Sequence, residues 1–269
     1  WSQIKAERDA AQIEKRRFEI EQQRKAEDQA KIIQFKAKAN EAKTIWDKAQ
    51  HCAVHPYMAI AGIKPINART MPVVKTSGGQ TFADPLIIPL FDVHTHEIVN
   101  LQFITHEGEK RPLSGAQSQN YYFVIEGTEP TIFVEGYKDA CNAHHATGRR
   151  VIACITADKI KEIYPILGKQ QDAILSDNDN KSKLNDDESR KVLFSLKQIN
   201  AHGKGHKVAT ELGAKFYLAP ELGSDAGSMS HDQINALLND KATSELPVFD
   251  VWSQLKDQHC EIDTKSLIN

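Results

Sequence analysis

The sequence predicts an α/β protein: a parallel sheet flanked by helices, preceded by a small α+β subdomain and a long amino-terminal helix. Three observations carry this expectation. Residues 1–50 are rich in Ala, Glu, Lys, Arg and Gln and hold no Gly or Pro, a composition that favours helix. Residues 51–127 hold short strand-like runs separated by turn residues. After Gly127, apolar runs alternate with helix-patterned segments, the rhythm of strand–helix–strand units.

Taken in order, the first segment carries sparse apolar residues at seven-residue intervals: Ile4, Ala11 and Phe18; Ile13 and Ile20; Phe35, Ala42 and Ala49. A narrow stripe of this kind predicts a long solvated helix resting on the domain along one seam. A coiled-coil dimer fits less well, because Ala dominates the stripe and the register drifts. The cluster Lys15-Arg16-Arg17 reads as a solvated face. From His55-Pro56-Tyr57 the texture changes, and Pro56, Gly62, Pro65 and Pro72 punctuate a compact region with loops. Pro85–Phe91, Ile98–Ile104 and Tyr121–Ile125 read as strands, with a turn at Glu107–Arg111. Together they predict a small antiparallel unit.

The alternating half follows. Strand Thr131–Val134 leads to helix Tyr137–Thr147, strand Arg150–Ile155 to helix Asp158–Leu167, and strand Ala173–Ser176 ends in aspartates. A polar insertion over 181–203 interrupts before helix Gly205–Leu212 and strand Lys215–Leu218. It reads as a surface loop. Helix-like segments at Asp232–Leu238 and Val248–Gln258 close the chain. The expected division is a charged helix over 1–50, an α+β unit over 51–127, an α/β unit over 128–226 and a helical tail over 227–269.

The totals narrow the function classes. At 269 residues the chain can bury a sizeable core. With 34 basic and 36 acidic residues the formal charge is −2, so any nucleic-acid role must rest on local patches. None of the four cysteines, Cys52, Cys141, Cys154 and Cys260, form a CxxC pair, which argues against a zinc ribbon or a disulfide framework and for free thiols in a reducing compartment. No run approaches a membrane span and no signal peptide is visible, so a cytoplasmic protein is expected. The chain opens on Trp1, which suggests a piece of something longer.

Two predicted strand ends finish in acids: Glu135-Gly136 and Asp177-Asn178-Asp179. Glycine beside the acid lets backbone or ligand approach closely. Aspartates one residue apart can share hard cations, and in parallel sheets ligands gather beyond the carboxyl ends of the strands. Taken alone, Asp177-Asn178-Asp179 would read as a polar turn. With Glu135-Gly136 on the same repeat, a cation site is the better reading.

Glu135 followed by Asp177 and Asp179 resembles the Toprim domain shared by bacterial-type primases, topoisomerases and some nucleases. Glu135-Gly136-Tyr137-Lys138-Asp139 resembles the primase version, and upstream segments resemble the catalytic core of plasmid and phage primases: Pro85-Leu-Ile-Ile-Pro, Asn100-Leu-Gln-Phe-Ile, Gly108-Glu-Lys-Arg-Pro-Leu-Ser-Gly115 and the helix leading to His55-Pro56-Tyr57. The likeness covers most of 1–225. It implies a DNA primase core, a nucleotidyltransferase that joins ribonucleotides on single-stranded DNA with Mg²⁺ or Mn²⁺, partnered by a replicative helicase or by further domains of a parent protein. By that resemblance Glu135, Asp177 and Asp179 are catalytic. Glu135 serves as base, metal-ordering group or plain metal ligand, Asp177 and Asp179 hold the metal, and Asp139 and Asp225 are candidates for second-position ligands. Lys110, Arg111 and Lys138 are phosphate or template contacts.

The chain departs from the family pattern in the insertion after Asp179 and in the degenerate motif Ser224-Asp225-Ala226-Gly227. No zinc module precedes the core and no GxxxxGK[ST] follows it within these residues. A metal-dependent Toprim nuclease and a non-catalytic nucleic-acid-binding or assembly module remain alternatives. His94, His96, His144, His145, Ser114 and Cys154 have no partner motif for metal or nucleophilic chemistry.

Overall fold

The computed structural model describes residues 2–178, 204–221, 223–240 and 242–243. Asp179, the whole insertion over 181–203, Cys260 and the helix expected at Val248–Gln258 lie outside the described residues.

Helix α1 (Ser2–Lys48) leads to the short strand β1 (Gln50–His51), the single turn α2 (Pro56–Ala59) and strand β2 (Arg69–Thr70). A small hairpin follows, β3 (Val73–Lys75) with β4 (Thr81–Ala83). Next come β5 (Leu86–Asp92), β6 (Ile98–Ile104), β7 (Lys110–Pro112) and β8 (Tyr121–Ile125). The alternating half holds β9 (Thr128–Val134), α3 (Tyr137–Thr147), β10 (Arg149–Ala153), α4 (Ala157–Leu167), β11 (Ala173–Ser176), α5 (Lys204–Glu211) and β12 (Lys215–Leu218). A 3₁₀ turn, Ala226–Ser228, precedes α6 (His231–Asn239).

One sheet runs through the molecule in the order β1-β2-β5-β8-β10-β9-β11-β12, with β6 and β7 beyond β5. Strands β10, β9, β11 and β12 are mutually parallel, whereas β8 meets β10 antiparallel and joins the two halves. The parallel strands are apolar on both faces because helices cover both. Ile132, Val134, Val151, Ala153 and Leu175 pack with α3 and α6 on one face. Phe133, Ile152 and Ile174 point the other way and pack with α4 and α5. This is the α/β fold expected from the strand–helix rhythm, with element bounds shifted by a few residues.

Three expectations are corrected. Helix α1 does not lie along the domain for its whole length. Its last turns dock on β5 and β6 through Ala42, Ile45, Trp46 and Ala49, while Ile13, Phe18 and Ile20 stay exposed. Small Ala42 lets the helix approach the sheet, and polar bonds hold it there: Glu41 accepts from Ser77 N at 2.6 Å and Gln34 donates to Gly115 O at 2.9 Å. The turn expected at Glu107–Arg111 is present but earlier, closed by Gly108 N on Thr105 O, and Lys110 and Arg111 already belong to β7, paired with β6. Strand β10 ends at Ala153, earlier than expected, because Ile155 turns left-handed at φ 72° and breaks the ladder.

Under α2, His55 is 1% exposed; its Nδ1 accepts from Tyr57 N at 3.3 Å. Burial holds its imidazole below the ordinary 6.5, assisted by the charge of His106 and opposed by Asp84. The unfolded chain therefore takes up this proton more readily than the folded one. That share of stability is full above pH 6.5 and is lost as pH falls through the lowered value. His55→Gln is expected to flatten the fall in melting temperature between about pH 7 and about pH 5, and an equally steep fall in the variant would refute the assignment.

Candidate functional site

The site forms at one edge of the sheet, where β9 and β11 end side by side. Their register pairs Ile132 with Ala173 and Phe133 with Ile174. Continued along both strands, it sets Glu135 beside Ser176, with Asp177 next. Helix α5 begins against them: a Cβ on Gly205 would lie 2.8 Å from Glu135 Oε1 and 3.4 Å from Ser176 Oγ. Glycine there lets the helix start and the carboxylate share the space with Glu135 in this position. Proximity to a helix amino terminus suits a carboxylate. Cys154 lies close behind; burial, then the charge of Glu135, pushes its thiol well above the ordinary range.

The chain after β11 is tied to the chain after β12. Asn178 N donates to Ser224 O at 2.9 Å, Asn178 Nδ2 donates to Ala219 O at 3.0 Å, and Gly223 N donates to Asn178 O at 2.5 Å. These bonds carry Asp225 to the same edge as Asp177. Ser176 Oγ, Asn178 Oδ1 and Asp225 Oδ1 are buried and have no hydrogen-bond partner among the described residues.

Asp139 and Asp225, the expected second-position ligands, are both engaged within the protein. Asp139 is 5% exposed, and both its oxygens are engaged with backbone: Oδ2 accepts from Gly136 N at 3.0 Å and Oδ1 from Gly227 N at 2.8 Å. It clasps the start of α3 to the 3₁₀ turn 88 residues away. Burial, then the charge of Asp225, raises its carboxyl, with Lys138 and Lys110 opposing. Asp225 starts the 3₁₀ turn, its N–H donating to Ser228 Oγ at 3.1 Å, and its Oδ2 meets Lys138 Nζ at 3.3 Å. Burial alone would lower the Lys138 ammonium, but Asp225 and Asp139 outweigh it and raise it.

The two neighbouring cations of β7 part company, since successive strand residues face opposite sides. Lys110 Nζ comes within 3.8 Å of where a Cβ on Gly136 would stand and lies 5.9 Å from the centre of the Tyr57 ring. Arg111 turns away and pairs with exposed Glu109 at 2.6 Å. The structure thus sets Glu135 and Asp177 at adjacent strand ends, gathers Asp139, Asp225, Lys138 and Lys110 around Gly136 and Gly227, and leaves Arg111 apart. Asp179 lies outside the described residues.

Tyr57 and Tyr137 were missed as supporting residues. Tyr57 packs beneath Lys110, and the Tyr137 hydroxyl donates to Ile66 O and accepts from Ile66 N, both at 2.9 Å. The runs Glu135–Asp139 and His55-Pro56-Tyr57, both part of the resemblance, contained these tyrosines but gave neither a role.

Among the described residues no three His, Cys, Asp or Glu side chains gather as a ligand set. Glu135 and Asp177 still offer carboxylate oxygens at one edge, beside the buried oxygens of Ser176 and Asn178. An all-oxygen environment of this kind fits Mg²⁺ or Mn²⁺, which bind through one or two carboxylates and complete their shell with water and phosphate oxygens. No helix among the described residues is long and apolar enough to cross a membrane.

No family model matches the chain. Among solved structures it is similar to a DNA primase domain from Pseudomonas aeruginosa, at 17% identity and a TM-score of 0.37, over 70% of this chain and 61% of that one. It is similar to the DnaG primase catalytic domain bound to ssDNA, at 11% identity and a TM-score of 0.46, over 84% of each chain. It is also similar to the DnaG catalytic core, at 10% identity and a TM-score of 0.31, over 69% of this chain and 56% of that one. The chain therefore spans less than two thirds of the Pseudomonas domain, and at such identities the residues of this chain have to carry any functional reading.

Proposed function

We propose that this chain is a Toprim-type primase catalytic core of the plasmid or phage kind, joining ribonucleotides on a single-stranded DNA template. One observation carries the reading: Glu135 and Asp177 leave adjacent parallel strands at the same sheet edge, the acid order that resembles the Toprim family. Glu135 and Asp177 would hold Mg²⁺ or Mn²⁺, with Asp179 following in sequence. The ion, when bound, neutralises phosphate charge and lowers the barrier for attack by a 3′ oxygen.

The side chains have separate tasks. Glu135, set against the start of α5, orients the attacking hydroxyl and is placed to accept its proton at a carboxylate oxygen. Lys110, beside Gly136, supplies a positive point for a triphosphate or template phosphate. Lys138 is engaged with Asp225 and is not spent on phosphate. Arg111 stands apart and contributes to the template path at most as a surface charge. A replicative helicase, or further domains of a parent protein, would deliver the template.

The test is primer synthesis on single-stranded DNA with labelled ribonucleotides and Mg²⁺ or Mn²⁺. Short products are expected, reduced at least about 100-fold by Asp177→Asn with the fold intact. Undiminished synthesis by that variant would sink the assignment. Cleavage of labelled DNA without nucleotides would move the protein to the nuclease class.

A further inference from the structure

Lys138 lies between two carboxylates that the primase resemblance would give to a second metal ion. Its Nζ stands 3.3 Å from Asp225 Oδ2, in a pair only partly open to solvent, with side-chain exposures of 22% and 34%. The stem is recessed into the 3₁₀ turn. A Cβ on Gly227 would fall 2.1 Å from Lys138 Cε, so only glycine at that position leaves the lysine room. Asp139, the other carboxylate, spends both oxygens on the N–H groups of Gly136 and Gly227. Asp225 Oδ1 is buried without a hydrogen-bond partner among the described residues, which leaves Lys138 as the ion-pair partner of that carboxylate.

We propose that the Lys138 ammonium is a resident cation that occupies the second cation position, leaving the edge formed by Glu135 and Asp177 as the place for an exchangeable metal. The ion pair of Lys138 with Asp225 stands on geometry, while its place at a second cation position and the exchangeable metal both rest on the primase reading.

The physical reason is competition for one space. A divalent ion bound to Asp225 Oδ2 would sit within a few ångströms of the ammonium, and like charges at that separation repel strongly when partly shielded from water. The ion would have to expel Lys138 from the recess at Gly227 and also break the backbone bonds of Asp139. A tethered ammonium involves no loss of a hydration shell on each binding event. It holds the start of α3 against the turn after β12 whether or not metal is present. The structural clasp and the exchangeable ion are thereby separated.

Mn²⁺ binding counted by electron paramagnetic resonance, without nucleotide or DNA, tests this on the whole chain. Lys138→Ala is expected to bind about one more Mn²⁺ than the unaltered protein, because Asp225 and the vacated recess become available. Lys138→Ala is also expected to melt lower in chelator and to recover with Mn²⁺. Asp225→Asn in the otherwise unaltered protein is expected to leave the Mn²⁺ count unchanged, and Lys138→Ala with Asp225→Asn to lose the added ion. A folded Lys138→Ala with no gain would overturn the proposal. So would a fall in the count for Asp225→Asn, which stays informative if Lys138→Ala fails to fold. Failure of the primase reading shows elsewhere: no primer, and no Mn²⁺ sensitive to Asp177→Asn, while a gain in Lys138→Ala would still stand.

Discussion

Gly205→Ala is expected to cut primer synthesis by about 100-fold while leaving the protein as stable as before, or slightly more so. The added methyl would stand 2.8 Å from Glu135 Oε1. That oxygen ends a flexible side chain, so the clash is relieved when the carboxylate swings aside rather than when the helix moves. Alanine in α5 also favours helix over glycine by up to about 1 kcal/mol, which offsets the remaining crowding. The two effects therefore separate: folding gains a little, while the Glu135 carboxylate is displaced on the scale of an ångström. Displacement of that size costs on the order of 100-fold in a positioned reaction. Thermal melting and primer yield measured on the same sample check it. Full activity with unchanged melting would show that the position of Glu135 does not matter to the chemistry.

Asp139→Ala is expected to lower stability by about 3 kcal/mol, the largest effect on folding foreseen for any carboxylate of the site. Its removal leaves the N–H groups of Gly136 and Gly227 without their acceptor. A buried donor left unpaired costs about 1–3 kcal/mol, so two give roughly 2–6. Part of this returns, because burial and the charge of Asp225 already disfavour the ionised Asp139. The lost acceptors win, since both bonds are of good length, 3.0 and 2.8 Å, and the Gly227 donor is buried. Asp139→Asn keeps the volume and one acceptor, and is expected to cost about half as much. Urea denaturation in the presence of chelator measures both. For a chain of this size the alanine variant should melt roughly 6–12 °C lower. A melt within about one degree of the unaltered protein would return Asp139 to the metal ligands rather than to the clasp.

Much of the alternating half was legible because its signals are local. Ile132–Val134, Val151–Ala153 and Ala173–Leu175 are short apolar runs bounded by turn residues, and burial on both faces leaves no polar alternation to confuse them. The strands that escaped notice, β1 to β4 and β7, are two or three residues long and largely exposed or half-buried. Their pairing energy comes from partners such as Thr70 for Gln50, or Gln102 for Pro112, and no local pattern announces these. The stripe on α1 misled for a related reason. Apolar spacing says which residues share a face of a helix, but the sheet under α1 is only broad enough to cover its last turns.

For the site, the order of acids along the chain was enough to set Glu135 and Asp177 at strand ends, because a parallel sheet directs its carboxyl ends to one edge. What the carboxylates do there was decided only in three dimensions. Asp139 and Asp225 carry the same charge as Glu135 and Asp177, and the resemblance offers all four to cations, the first two only at a second position. The fold brings Gly227 to Asp139, and Lys138 to Asp225, across 88 and 87 residues. It likewise sends Lys110 to the site and Arg111 away from it, although they are adjacent. Residue type and spacing determine which charges exist and on which strand end they stand. Whether each is answered by a backbone N–H, a lysine or an ion depends on the groups the tertiary structure delivers within about 3 Å, and at that range hydrogen bonding and Coulomb attraction are decided.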